Sequence, residues 1–167
     1  MKFYIGQYRG IGLLSRGIEL FTRSEWSHSC VVFPPKEEGD KFVLVEAWGF
    51  KGVVKVEEHD LISCLSVNHH PGTRVDIFEI EVTEIAYDRA MEFAMQQVGH
   101  KYDWSLIIKF LTRKPAKENG RWICSELTGE ICKTAGYQLQ RMPTWRMNPD
   151  HVGISPVIKP KMQAVTI

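Results

Sequence analysis

Two short stretches decide the fold: Ser29-Cys30-Val31-Val32-Phe33 and Phe42-Val43-Leu44-Val45-Glu46-Ala47-Trp48. Both are runs of β-branched and aromatic residues of strand length. Pro34-Pro35 stops the first, and the charged Lys36 to Lys41 segment with Gly39 supplies a solvated turn. The pair therefore reads as a hairpin. A turn centred near residue 38 makes facing residues sum to about 75, which sets His28 against Ala47 or Glu46 within one register step.

Further strands follow outward from this hairpin. Lys2 to Gln7 is apolar and aromatic, and Gly52 to Glu57 resumes after Gly49 with alternating Val53 and Lys55. Asp60 to Leu65 suits a short helix or turn. Arg74 to Val82 alternates, giving a half-buried strand with its apolar face on the even positions. Helical signals lie on either side of these strands. Leu13, Leu14, Ile18 and Phe21 recur at helical spacing near the start. Thr83 is a natural N-cap for a helix that carries Ala86, Ala90, Phe93 and Ala94 and ends at Gly99. Tyr102 to Leu111 reads as a second short helical segment, and Lys114 to Gly120 as a polar loop. Another helix runs from about Cys124 to Thr134, with Leu127 and Ile131 inward and Gly136 as its stop. A helix, then several strands, then helices, imply an α+β fold with an antiparallel sheet packed against helices. Residues 138–167, rich in proline, read as an irregular tail wrapped over the surface of a single domain spanning 1–167.

Composition narrows the functional classes. With 167 residues, 44% hydrophobic and 25% charged, the chain can build a real core and is not a disordered tail. Lys plus Arg number 21 against 20 Asp plus Glu, so net charge gives no reason to expect nucleic acid as a partner. No apolar run approaches a membrane span, and no secretory leader is legible. Cys30, Cys64, Cys124 and Cys132 are too widely spaced for a disulfide scaffold or a close-spaced zinc knuckle, which fits a reducing, cytoplasmic setting. No HExxH, clustered aspartates or Cys/His pairs at ligand spacing occur. The reading therefore assigns no metal and no cofactor. Nothing in the sequence sets the oligomeric state.

Three residues carry candidate chemistry. Cys124 stands where a helix begins, so the unpaired N–H groups of the first turn would favour its thiolate; the plain alternative is a small core residue. His28 opens a hydrophobic strand and is either a base or a hydrogen-bonded structural histidine. Glu46 lies among apolar neighbours, where a carboxylate must be paired unless it faces water from an edge. Beside His28 it would fix the imidazole tautomer. Trp26, Trp48, Tyr102 and Trp104 are candidate cleft-lining aromatics, with core packing as the alternative. His69-His70, before Pro71-Gly72, reads as a loop.

Four segments resemble a known family. Trp26-Ser27-His28-Ser29-Cys30-Val31-Val32 resembles the histidine strand of the circularly permuted NlpC-type papain-like proteins, the YiiX-like group. Val45-Glu46-Ala47 with Gly52-Val53 is similar to their next strand, which carries the acidic partner. Gly99-His100-Lys101-Tyr102-Asp103 resembles their Gly-x-x-Tyr-Asp segment, and Trp122-Ile123-Cys124-Ser125-Glu126-Leu127 their nucleophile segment. The helix over 12–21 fits as well. Two departures lie at Ile5-Gly6-Gln7, where the family often has Gly-Asp, and at the Phe33-Pro34-Pro35 stop. The resemblance covers roughly residues 3 to 155 and implies a permuted papain-like fold from a bacterium or phage. It implies Cys124 as nucleophile, His28 as base and Glu46 as the imidazole-orienting group. The expected activity is then a cysteine hydrolase or peptidase acting on amide bonds, of peptide or peptidoglycan type, through a thioester. A lipid amide or ester hydrolase, a thiol acyltransferase or a non-catalytic binding module are the alternatives.

Overall fold

A computed structural model describes residues 1–11, 15, 20, 24–105 and 120–167. The helix expected over Leu13 to Phe21, most of the segment to Leu111 and most of the Lys114 to Gly120 loop lie outside the described residues. Six strands form one sheet in the order β4-β3-β2-β1-β5-β8, with every neighbouring pair antiparallel. They are β1 (Lys2–Arg9), β2 (His28–Phe33), β3 (Phe42–Trp48), β4 (Gly52–Glu58), β5 (Arg74–Glu81) and β8 (Lys159–Val165). Helices α1 (Leu61–Ser66), α2 (Glu84–Gln97), α3 (Cys124–Thr134) and α4 (Pro149–Gly153) surround it. The two-residue strands β6 (Lys101–Tyr102) and β7 (Arg121–Trp122) pair in parallel. The expected α+β class, with an antiparallel sheet against helices, is the observed one.

Both faces of the sheet are covered. On one face Phe3, Ile5, Val31, Phe33, Val45 and Ile80 meet Ala90 and Ala94 of α2 and Leu127 and Ile131 of α3. On the other, Tyr4, Tyr8, Cys30, Val32, Leu44 and Ile77 pack against Cys64 and Leu65 of α1. The reading of β5 as half-buried is therefore corrected: Val75 and Ile77 on its odd side are as buried as Ile80 on its even side. The physical reason is α1, which at six residues is too short to announce its inward face by periodicity yet buries Cys64 and Leu65 in one cluster with Val75 and Ile77. Thr83 caps α2 by accepting from the Ala86 N–H, and Gly99 follows it with φ +89°.

The irregular tail is corrected as well. It contains a 3-10 turn over Thr144–Arg146, then α4, then β8 on the edge of the sheet. Strand β8 buries almost nothing, so it has no hydrophobic alternation to read. Its ladder to β5, the pairs Lys159–Glu81 and Lys161–Glu79, and the Gln163 amide on Asp76 hold it. Beyond β8, Thr166 accepts from the Thr73 N–H through its hydroxyl and donates that hydroxyl to the His70 carbonyl. The sheet edge thus clamps the turn that follows α1.

The opposite edge is closed by glycine. Gly52 has φ +75°, and a β-carbon there would lie 2.3 Å from the His100 carbonyl oxygen. That close approach lets β4 exchange hydrogen bonds with the chain after α2, Val53 N–H to His100 and Gly99 N–H to Val53. Gly52→Ala is expected to lower stability by about 2 kcal/mol or more, from left-handed backbone strain plus the clash. Urea unfolding of the variant and the parent protein measures the loss.

Candidate metal centre

The site lies where β2 and β3 part. Their ladder pairs Val31 with Val45, Val32 with Leu44 and Phe33 with Val43. Facing residues thus sum to 76, within one step of the sequence expectation. Continued, this register would set Trp48 across from His28, so Glu46 reaches His28 on the diagonal, within the span of a long side chain. The contact is short, with His28 Nε2 2.7 Å from Glu46 Oε2.

Glu46 is 1% exposed, and an ionised carboxylate at that depth is tolerated only when fully partnered. It has three partners. Oε2 accepts from His28 and also faces His69 Nε2 at 3.3 Å, while Oε1 accepts from Asn68 Nδ2 at 2.8 Å. Burial works against the ionised form, but the hydrogen bonds from His28 and His69 outweigh it and hold the carboxyl well below the usual range. His69 and Asn68 are delivered by the short turn after α1, where the His69 N–H bonds the Ser66 carbonyl. The His69 ring is stacked on Tyr8 with centroids 3.7 Å apart. Burial foremost, and the charge of His28 besides, lower its pKa despite Glu46, so its imidazole is neutral.

His28 has a further neighbour. Burial disfavours its charged ring, but the charge of Cys124 and the hydrogen bonds His28 donates to Cys124 and Glu46 raise its pKa to about 10. Cys124 lies at the first turn of α3 after Ile123, the residue at the N-cap position. Its burial is outweighed by the charge and hydrogen bond of His28 and by the N–H groups of Ser29 and Ser125, so its pKa is lowered. The Ser29 N–H reaches that sulfur where the β2–β3 ladder has ended. Burial instead raises the other three thiols, Cys30 and Cys132 well above the usual thiol range and Cys64 to about 12.

The structure thus brings His28, Glu46 and Cys124 together and adds His69, which the sequence reading left in a loop, and Asn68. Trp48 stands edge-on to both imidazoles, at 5.2 Å from His28 and 5.1 Å from His69. The charge of Cys124 contributes to raising the Tyr102 pKa, after burial, and Tyr102 packs on Trp104, itself beside the exposed Phe50. Trp26 is committed elsewhere: its indole N–H donates to Asp76, and its ring lies over Gly153.

The comparisons with known proteins can be set against this geometry. No protein-family model matches the chain, and no curated protein matches it. A solved structure does: the metalloprotein yiiX from Escherichia coli O157:H7, with a TM-score of 0.68. The match is 16% identical and covers 98% of this chain and 97% of that one. At that identity the likeness establishes the fold alone.

The chemical half of the family resemblance is corrected. The expectation was a cysteine hydrolase or thiol peptidase with Glu46 serving a Cys–His pair, and no metal. Glu46 is instead shared between two imidazoles, and His28, Glu46 and His69 place their ligand atoms within 4.8 Å of one another. The grouping is His-Glu-His, a set that could hold a metal ion, and the thiol-hydrolase reading is withdrawn on it. Spacing rules missed it because its members lie 18 and 23 residues apart on separate elements. The one legible hint was Glu46, a strand carboxylate needing more partners than one histidine supplies.

The proton balance at this site predicts a pH profile. In the metal-free protein near neutrality, the folded pair holds one proton, on His28; the unfolded pair also holds one, on the thiol. Its contribution is flat from neutral pH up to about 9. Above that the unfolded thiol ionises while folded His28 keeps its proton to about 10, so stability falls as pH rises. Without the thiol, His28 retains Glu46, and the unfolded ring loses its proton near 6.5. Cys124→Ala should therefore lose the fall that starts at about 9, because no unfolded thiol is left to ionise there and the larger raising influences on His28 go with it. Denaturation midpoints of both proteins across pH 6 to 10, with chelator present, test this.

Proposed function

We propose that this chain is a metal-binding protein whose centre is His28 Nε2, Glu46 Oε2 and His69 Nε2. The observation that carries the reading is the convergence of two imidazole nitrogens on one oxygen of a buried carboxylate. The donor set fits. Two donors on a tetrahedral zinc-type ion, each 2.0–2.1 Å from it, stand about 3.3 Å apart. His69 and Glu46 have that separation, and His28 has to withdraw by roughly half an ångström. Two nitrogens and one oxygen suit zinc, iron, nickel or copper and not calcium or magnesium. The description of yiiX as a metalloprotein supports the reading.

When bound, such an ion supplies a positive charge and a coordination position open to an outside oxygen or nitrogen ligand. The protein's own groups arrange everything around it. Tyr8 holds the His69 ring by stacking, and its hydroxyl is fixed on the Leu65 carbonyl. With Nε2 turned to Glu46, Nδ1 is the His28 nitrogen left for Cys124, so the thiolate acts as the outer partner that a ligating imidazole commonly has. Trp48 closes one side, and Tyr102, near enough to Cys124 to feel its charge, packs on Trp104. Four free cysteines support a reducing, cytoplasmic setting, and the match to a bacterial protein supports a bacterial or phage source. Among the described residues no helix is long and apolar enough to cross a membrane.

Zinc titration by calorimetry against the chelator-treated protein tests the proposal. One equivalent should bind, and His69→Ala and Glu46→Gln should each weaken binding about 100-fold or more. Zinc should also raise the melting temperature of the parent protein and not of these variants. Unchanged zinc affinity in both variants would sink the reading.

A further inference from the structure

The two oxygens of Glu46 are not equivalent. Oε2 faces both imidazoles; Oε1 is held by Asn68 Nδ2 at 2.8 Å. The Asn68 amide is itself oriented, because its Oδ1 accepts from Lys51 Nζ at 2.8 Å. An ammonium group has donors only, so it selects the amide oxygen and turns the NH2 group toward Glu46. The chain Lys51–Asn68–Glu46 runs from the exposed β3–β4 turn to the buried carboxylate.

We infer that Asn68 is a positioning residue that reserves Glu46 Oε1, so that Glu46 offers a metal one oxygen and not two, with Lys51 setting the direction of the amide. The inference rests on the metal-binding reading. Its consequence is selectivity. A carboxylate free to rotate can close on an ion with both oxygens, as calcium sites use it, and raise the coordination number. A carboxylate pinned by an outer amide leaves three single-atom protein ligands and an open position, the arrangement of catalytic zinc sites. Asn68 also directly precedes the ligand His69, so the same short turn supplies a ligand and the group that restrains its neighbour.

Cobalt(II) is the probe, because its visible absorption is strong in four-coordinate sites and weak at higher coordination. Parent protein should bind one cobalt with an intense band. Asn68→Ala should bind it 10- to 100-fold more weakly, and the absorption per bound cobalt should drop several-fold. Lys51→Met, a change at an exposed residue, should move both quantities in the same direction by less. Parent protein that binds no cobalt would overturn the metal-binding reading itself. Parent protein that binds it, with Asn68→Ala unchanged in absorption per bound cobalt, would overturn this inference alone, whether or not affinity falls. If Asn68→Ala does not fold, Lys51→Met decides, and an unaltered spectrum and affinity there count against the inference.

Discussion

A carboxylate with 1% of its surface exposed governs this structure. Glu46 sits in the middle of a strand whose neighbours are all apolar, and burying its charge without partners would cost several kcal/mol. The partners come from separate parts of the chain: His28 from the start of β2, His69 and Asn68 together from the turn after α1, and Lys51, behind Asn68, from the β3–β4 turn. Three segments are thereby tied, directly or through Asn68, to one side chain. The parting of β2 from β3, the short helix α1 and the clamp that Thr166 places on the following turn all serve to bring those partners in.

The same site explains why a thiol reading and a metal reading start from the same residues. His28 stands between Cys124 and Glu46, and a histidine so placed is the middle member of either arrangement. What separates them is the rest of Glu46's surroundings. A carboxylate that only orients a base needs one imidazole. Glu46 has two on one oxygen, with an amide on the other, and that is how donors gather around a cation. Cys124 keeps a place beside His28, where its lowered pKa owes more to the His28 imidazolium than to the N–H groups of Ser29 and Ser125.

Much of the scaffold was legible. The β2–β3 hairpin followed from apolar runs around a charged turn, and its register from turn length to within one step. The Thr83 cap and the Gly99 and Gly136 stops followed from backbone chemistry that acts over a few residues. Two elements misled. Strand β5 looked half-buried because α1, too short for a periodic signal, joins Val75 and Ile77 of its second face in a buried cluster. Strand β8 looked like loose tail because an edge strand held by ladder bonds and lysine–glutamate pairs carries no hydrophobic pattern.

By itself the sequence determined the class of fold, most element boundaries and the anomaly of a charge at Glu46, because propensity, capping and alternation are local and are written in neighbouring residues. It also marked His28 and Cys124 as residues placed to interact. Only the tertiary structure decided which groups surround Glu46. Asn68 and His69 lie more than twenty residues from it, in a turn with no signal of its own, and they arrive because α1 packs on the sheet and β8 pins the turn beyond. A ligand set is a meeting of side chains in space, and where its members come from separate elements no spacing along the chain encodes it.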